Sequence, residues 1–378
     1  MNHSKKPGII ARTVEKSRIR ISRPAAGLMK HKAALVILLM ITVLFAVGVQ
    51  RTTTGDAKEY VVMVEVFRGN ASFGDVGAPW RNRILVPFLA SFVPFGPKES
   101  MQVVNYFFAI GTGLVFFRYL KSFSFNDSSR LLGTTLFMCS VPFVGIGTQA
   151  LTDMGAMFLM ILALLMMRTK SNPLFIAAVL SLAVLTRETA LFLVPVYYIF
   201  ATRNDPVKGQ FSQRMGHLVA GTFPLIVLLI VRLVISAEVG ESGSVTGVGY
   251  YWMPDSYWVA KNIDNLVNFL DFGNHDLSGL SFWLSIVPLA PFLITAIVTK
   301  RAESQILKQN RSFLMTVGFF LSLIPLYGFL AAVVDARYVW AAYPVLVPMA
   351  LIGYDRWDNI RGLSLVKKYS DIALSKLA

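Results

Sequence analysis

Four short clusters of carboxylates and arginines punctuate this sequence, each beside an apolar run. The first is Gly55-Asp56-Ala57-Lys58-Glu59-Tyr60, and the second is Pro79-Trp80-Arg81-Asn82-Arg83-Ile84-Leu85-Val86-Pro87. The third is Thr186-Arg187-Glu188, preceded along the chain by the isolated Asp153 in Leu151-Thr152-Asp153. The fourth is Val334-Asp335-Ala336-Arg337-Tyr338. Guanidinium is a planar, permanently charged fork that matches phosphate, so Arg81 and Arg83 suit a phosphate at headgroup depth, with snorkelling to lipid headgroups as the alternative. Arg187 and Glu188 lie between apolar runs, where ionisable groups usually face a polar cavity or pair with each other. Asp335 and Arg337 can pair across their turn, or Arg337 can reach a lipid phosphate. Asp56 and Asp153 have a plainer alternative as helix N-caps. Taken together, these groups fit a phosphate-bearing lipid and a reaction at the membrane surface.

Other chemistry is poorly supplied. There is no Walker loop, dinucleotide fingerprint or HExxH pattern. The single Cys139 excludes a disulfide framework and a cysteine-cluster zinc site. His275 with nearby acids is weak support for a metal. The aromatics Tyr250-Tyr251-Trp252 and Tyr257-Trp258 read as an interfacial belt, or as a surface that stacks on a sugar ring.

The elements that must position these groups are membrane-spanning helices. Of the 378 residues, 55% are hydrophobic and only 15% charged. A soluble domain carries roughly a quarter charged residues. Apolar runs at 33–49, 101–118, 131–148, 151–167, 173–186, 189–201, 217–236, 280–299, 312–332 and 338–354 give about ten transmembrane helices, all-α and polytopic. The stretch 173–201 is either a short hairpin turning at Thr186-Arg187-Glu188 or one helix with a buried ion pair; the hairpin keeps the charges consistent. With ten spans both termini face the cytoplasm. Most of the 36 Lys and Arg then fall inside and most of the 21 Asp and Glu outside. That sorting is the positive-inside rule, and it accounts for the net charge of +15 without nucleic acid. The reading divides the chain into a basic cytoplasmic tail 1–32, a single transmembrane domain 33–356 with outer loops 51–100 and 237–279, and a cytoplasmic tail 357–378. In the first loop, Tyr60, Val61, Val64 and Phe67 share a helical face, which predicts a helix lying in the interface. Ile84 to Phe95 is too short to span and is expected to be interfacial or re-entrant.

The four clusters in this order resemble the GT-C superfamily of membrane glycosyltransferases. The acid after the first span, the Arg81–Pro87 segment, Leu185-Thr186-Arg187-Glu188-Thr189 and Asp335-Ala336-Arg337-Tyr338 with Pro344 following carry the likeness. The resemblance implies a polyprenyl-phosphate-sugar donor used on the outer face, with inversion at the anomeric centre. Asp56 would be the general base, with Glu59 as its understudy. Arg81, Arg83, Arg187 and Arg337 would hold the lipid phosphate, with Asp153, Glu188 and Tyr338 completing the substrate site. Some members use a divalent metal; single acids in place of an Asp-x-Asp pair do not support one here. The acceptor would be an envelope glycan, a lipid or a protein, and the setting a bacterial cytoplasmic membrane with the site facing the periplasm. The competing expectations are a transporter or flippase for lipid-linked saccharides and a non-catalytic assembly subunit.

Overall fold

The computed structural model describes residues 36–37, 39–43, 55–204, 211–239, 254–268, 278–298, 305–332 and 335–354. Both tails, the Gly240–Gly249 stretch, Tyr250-Tyr251-Trp252 and His275 lie outside these residues. Every regular element among the described residues is helical. The chain runs α1 (Asp56–Phe67), a 3₁₀ turn (Trp80–Asn82), α2 (Leu85–Ser91), α3 (Pro97–Lys121), α4 (Asp127–Met138), α5 (Val141–Gly145), α6 (Asp153–Arg168) and α7 (Pro173–Thr186). A further 3₁₀ turn (Glu188–Phe192) leads into α8 (Leu193–Asn204), α9 (Phe211–Glu238), α10 (Ser256–Val267), α11 (Ser278–Ile286), α12 (Ala290–Val298), α13 (Gln305–Ala331) and α14 (Ala336–Trp340). The last helix, α15, covers Tyr343–Tyr354.

Local chemistry sets several of these boundaries. Pro97 opens α3, where a missing N–H costs nothing, and Arg118 and Lys121 close it against the helix dipole. The run read as one span at 131–148 is two helices. Ser140 accepts the Phe143 amide as an N-cap and Pro142 follows in the first turn, so a new helix starts there. Three segments, Pro97–Lys121, Met215–Glu238 and Lys308–Ala331, are each long and apolar enough to cross a membrane. Helices α11 and α12 are apolar and long enough only when taken together, and they bend by 52° at their junction, as a broken span or a re-entrant pair does. Pro173–Thr186, Glu188–Ala201 and Tyr343–Tyr354 are shorter apolar helices packed among them. Helix α9 turns Phe223, Ile226, Leu229, Ile230, Leu233 and Val234 outward as an exposed apolar face, which suits lipid rather than water.

Two anchored ends fix the bundle. At one end, Arg168 closes α6 by donating to Ser122 Oγ at 2.8 Å and to Asn310 Oδ1 at 2.6 Å. Its guanidinium also lies over the rings of Phe123 and Phe313. This ties together the end of α3, the end of α6 and the start of α13. In the core, Phe116 stacks on Phe137 with centroids 4.5 Å apart, and Phe137 and Phe143 pack on Trp340. Trp340 ends α14, so this aromatic cluster seats the turn that carries Arg337.

The opposite end holds the charged clusters, and a break in the chain places one of them. Helix α7 stops at Thr186, Arg187 is extended (φ −162°, ψ 128°), and the chain resumes as a 3₁₀ turn at Glu188. Pro173, at the start of α7, approaches Gly216, while Tyr197 of α8 hydrogen-bonds His217 at 2.6 Å. Both arms therefore return to the early turns of α9, as the hairpin reading expects. Asn105 of α3 places another cluster. Its Nδ2 donates to the carbonyls of Gln149 and Leu151, both at 2.8 Å, and so shapes the turn leading into Asp153. Asn105→Leu keeps the volume but strands these carbonyls. It is expected to cost about 2 kcal/mol, read as a lowered thermal midpoint of the purified protein in detergent.

Candidate active site

At this end of the bundle, acids and arginines pair across elements far apart in sequence. Arg337 Nη1 donates to Asp56 Oδ2 at 2.7 Å, and its Nε donates to Asp335 Oδ2 at 2.9 Å. Asp335 also caps α14 by accepting the Arg337 amide at 2.8 Å. Arg83 Nε donates to Glu188 Oε2 at 3.0 Å, and Arg83 Nη1 donates to the Tyr60 hydroxyl at 2.8 Å. Arg187 is ion-paired with Asp153. The adjacent Arg187 and Glu188 thus do not pair with each other: the first reaches α6 and the second reaches the 80–83 loop.

Neither Asp56 nor Asp153 acts as a helix cap. Gly55 and Thr152 hold the N-cap positions of α1 and α6, without side-chain cap bonds, and each aspartate follows as the first helical residue. Both carboxylates are spent on arginines instead, helped by the positive end of the helix dipole. Burial pushes the Asp56 carboxyl up, but Arg337, by charge and hydrogen bond, and then Arg83 and Arg187 outweigh it and hold Asp56 below its ordinary value. Asp56 is therefore ionised at neutral pH.

The remaining candidates divide. Arg81 and Arg83 are both buried. Tyr338 lines a small cavity with Asp153, Arg187, Thr189 and Arg337. That cavity, about 20 Å³, holds roughly one water and is closed on its other sides by Met157, Met160, Ile324 and Trp340. Glu59 faces elsewhere: its Oε2 accepts the Gly77 amide at 2.8 Å and ties down the loop after α1. Two side chains escaped sequence reasoning. Tyr60 was read only as part of an apolar face. Arg232, inside the apolar run of α9, brings Nη2 to 3.8 Å from Glu188 Oε1; a lone arginine within a span was the available signal. Among the described residues, no three His, Cys, Asp or Glu side chains converge as a metal site. The acids of the cluster are each held by an arginine, so no step is derived through a metal.

This architecture is similar to that of ArnT from Cupriavidus metallidurans, whose crystal structure holds undecaprenyl phosphate, with a TM-score of 0.54 and 16% identity. The chain has a GT-C-type fold. The likeness covers 91% of this chain and 64% of ArnT, so the chain spans less than two thirds of that protein's length. No family model matches the sequence, and no curated relative does either.

The pairing has measurable consequences. Asp153→Asn leaves Arg187 charged and buried, at a cost of about 3 kcal/mol in denaturant unfolding, and Asp153→Asn with Arg187→Gln recovers much of it. For Asp56 the lowered value means that its contribution is complete above the unfolded-state value of about 4 and is lost as pH falls through the lower folded value. The stability gap between wild type and Asp56→Asn is therefore expected to stay flat from about pH 8 to about pH 5 and to close only below about pH 4, as measured by thermal unfolding across pH.

Proposed function

We propose that the protein is an inverting glycosyltransferase that moves a sugar from a polyprenyl-phosphate carrier to a hydroxyl acceptor on the outer face of the membrane. The observation that carries this reading is the bond between Arg337 and Asp56, from opposite ends of the sequence. It joins a phosphate-type ligand and a proton acceptor in one contact. Arg83, Arg187 and Arg337 gather at one end of an apolar bundle, where a lipid phosphate could sit with its hydrocarbon among the helices. A space of about 410 Å³, walled by Leu191, Phe192, Pro195, Phe320 and Leu323 beside Glu188, adds apolar volume next to the cluster. The fold shared with ArnT, which was solved with undecaprenyl phosphate, supports a carrier of the same class.

The chemistry follows from the exchange of partners. The acceptor oxygen attacks the anomeric carbon while the bond to the carrier phosphate oxygen breaks, and the carrier leaves as polyprenyl phosphate. The acceptor proton passes to Asp56. Paired with Arg337, Asp56 is a weak base, and phosphate competing for Arg337 makes it a stronger one. Arg337 keeps Asp335 as its other partner, so it is not stranded by the exchange. Arg337, with Arg187, stabilises the charge that grows on the leaving phosphate. Arg81 and Tyr338 complete the phosphate side, Asp153 and Glu188 hold the arginines in register, and Glu59 is left to brace the loop. Single acids, each engaged by an arginine, give a divalent metal no support in this reading. The proposed setting is the bacterial cytoplasmic membrane with the site toward the periplasm; the charge sorting supports the orientation, and the basic tail and the single cysteine support the setting.

A flippase or a passive assembly subunit would not need a base. Glycan profiling by mass spectrometry separates these readings by comparing wild type, a deletion and Asp56→Asn at matched protein level. The expected result is that deletion and Asp56→Asn remove the same sugar-sized mass, with Asp56→Asn lowering turnover by roughly 10² to 10⁴. A glycan changed by the deletion but not by Asp56→Asn points instead to transport or assembly.

A further inference from the structure

We propose that Arg232 is a positioning residue that takes over the Glu188 carboxylate when a lipid phosphate occupies Arg83. The inference rests on the phosphate-carrier reading above and adds to it a residue and a motion. Glu188 is buried, and it commits only one oxygen: Oε2 lies 3.0 Å from Arg83 Nε. Oε1 points toward Arg232, whose Nη2 is 3.8 Å away, close enough for charge attraction but too far for a hydrogen bond. Both Glu188 Oε1 and Arg232 Nε are buried without a hydrogen-bond partner among the described residues. An unpartnered carboxylate oxygen with a guanidinium nitrogen, Arg232 Nη2, just beyond hydrogen-bonding distance, on a guanidinium whose Nε is also without a partner, describes a contact that is prepared but not made. Leaving buried charged groups unsatisfied is costly, so a second arrangement that closes the gap is energetically accessible.

A phosphate on Arg83 supplies the reason to move. It would place an anion beside Glu188, and like charges at that separation repel strongly in a dry site. Glu188 then needs another cation, and Arg232 stands on the side of its free oxygen. The two arginines and one carboxylate leave a net positive charge, which one phosphate charge would neutralise. The path is open. Glu188 begins a 3₁₀ turn just after the extended Arg187, and short 3₁₀ segments are common hinges. The same carboxylate borders the 410 Å³ apolar space, so it is not locked by packing on that side. An arginine in a membrane span is expensive to keep, and this task explains why α9 carries one.

The test is binding of a polyprenyl monophosphate to the purified full chain in nanodiscs, with the matching polyprenol as control. Wild type is expected to bind the phosphate and to show little affinity for the alcohol. Arg232→Gln is expected to weaken phosphate binding about tenfold at an unchanged thermal midpoint, and Arg232→Lys to restore most of it. Glu188→Gln placed in the Arg232→Gln background is expected to recover binding, because a neutral amide need not be relocated; a merely structural arginine would show no such rescue. If Arg232→Gln does not fold, Arg232→Met with and without Glu188→Gln carries the same comparison. Wild-type binding that is unchanged in Arg232→Gln, or a double variant weaker than the single one, overturns the role of Arg232 and leaves the carrier reading standing. A wild type that does not prefer phosphate over alcohol overturns the carrier reading and this inference with it.

Discussion

A guanidinium cannot shed its charge, so each arginine drawn into the interior of this apolar bundle must find an anion there. That constraint organises the end of the molecule where the candidate site lies. Arg83, Arg187 and Arg337 come from a loop, a helix break and a turn, and their carboxylate partners come from other elements. Each pair therefore ties together separate elements of the fold. Asp56 and Arg337 join the start of α1 to the turn before the last helix. Glu188 and Arg83 join the broken α7–α8 hairpin to the loop before α2. The backbone serves the same pairing: α7 ends where Arg187 and Glu188 must point to different partners, which an unbroken helix would not allow so readily.

The same pairs that hold the site together also fill it. The cavity among Asp153, Arg187, Arg337 and Tyr338 has room for about one water, with no space for a sugar. The arginines are engaged by carboxylates, so a phosphate must compete with internal acids before it can bind. Such an arrangement costs affinity but keeps the cations assembled and pre-oriented, which is where electrostatic catalysis gains most. The acids divide in consequence. Asp153 and Glu188 serve as counter-ions, whereas Asp56 shares its arginine with Asp335 and can be released without leaving a bare charge.

Much of this was legible in the sequence, for identifiable reasons. The apolar runs and the one-sided charge distribution specify a polytopic helical membrane protein, because the bilayer enforces both. The four clusters stand out because charge is rare beside spans, and three of their arginines and four of their acids do assemble. What the sequence withheld is pairing. Nothing in Thr186-Arg187-Glu188 says that neighbours of opposite charge will turn away from each other. Nothing in Asp56-Ala57-Lys58-Glu59 says that Asp56 meets Arg337 while Glu59 accepts the Gly77 amide. The helix break at Ser140 is signalled locally by Ser140 and Pro142, yet hydropathy alone reads straight through it. Arg232 was hidden by its own surroundings, since a window average absorbs one charge in a long apolar run.

Helix α2 and the segment that follows it, to Phe95, carry an unusual apolar edge. They leave Phe88, Leu89, Phe92 and Phe95 exposed, and the helix is too short to span. Arg68, at the end of α1, clamps the segment after it, donating to the carbonyls of Val93 and Phe95 at 2.8 and 3.0 Å and to Ser100 Oγ at 3.0 Å. Helices α1 and α2 are therefore held together as one unit, with Asp56 at the far end of the pair. Arg337 stands on a turn seated by Trp340 in the aromatic core, so a shift of the α1–α2 unit would move Asp56 against a fixed partner. With that apolar edge seated in lipid, bilayer thickness would act on the register between the two halves of the site as a lever acts on a hinge.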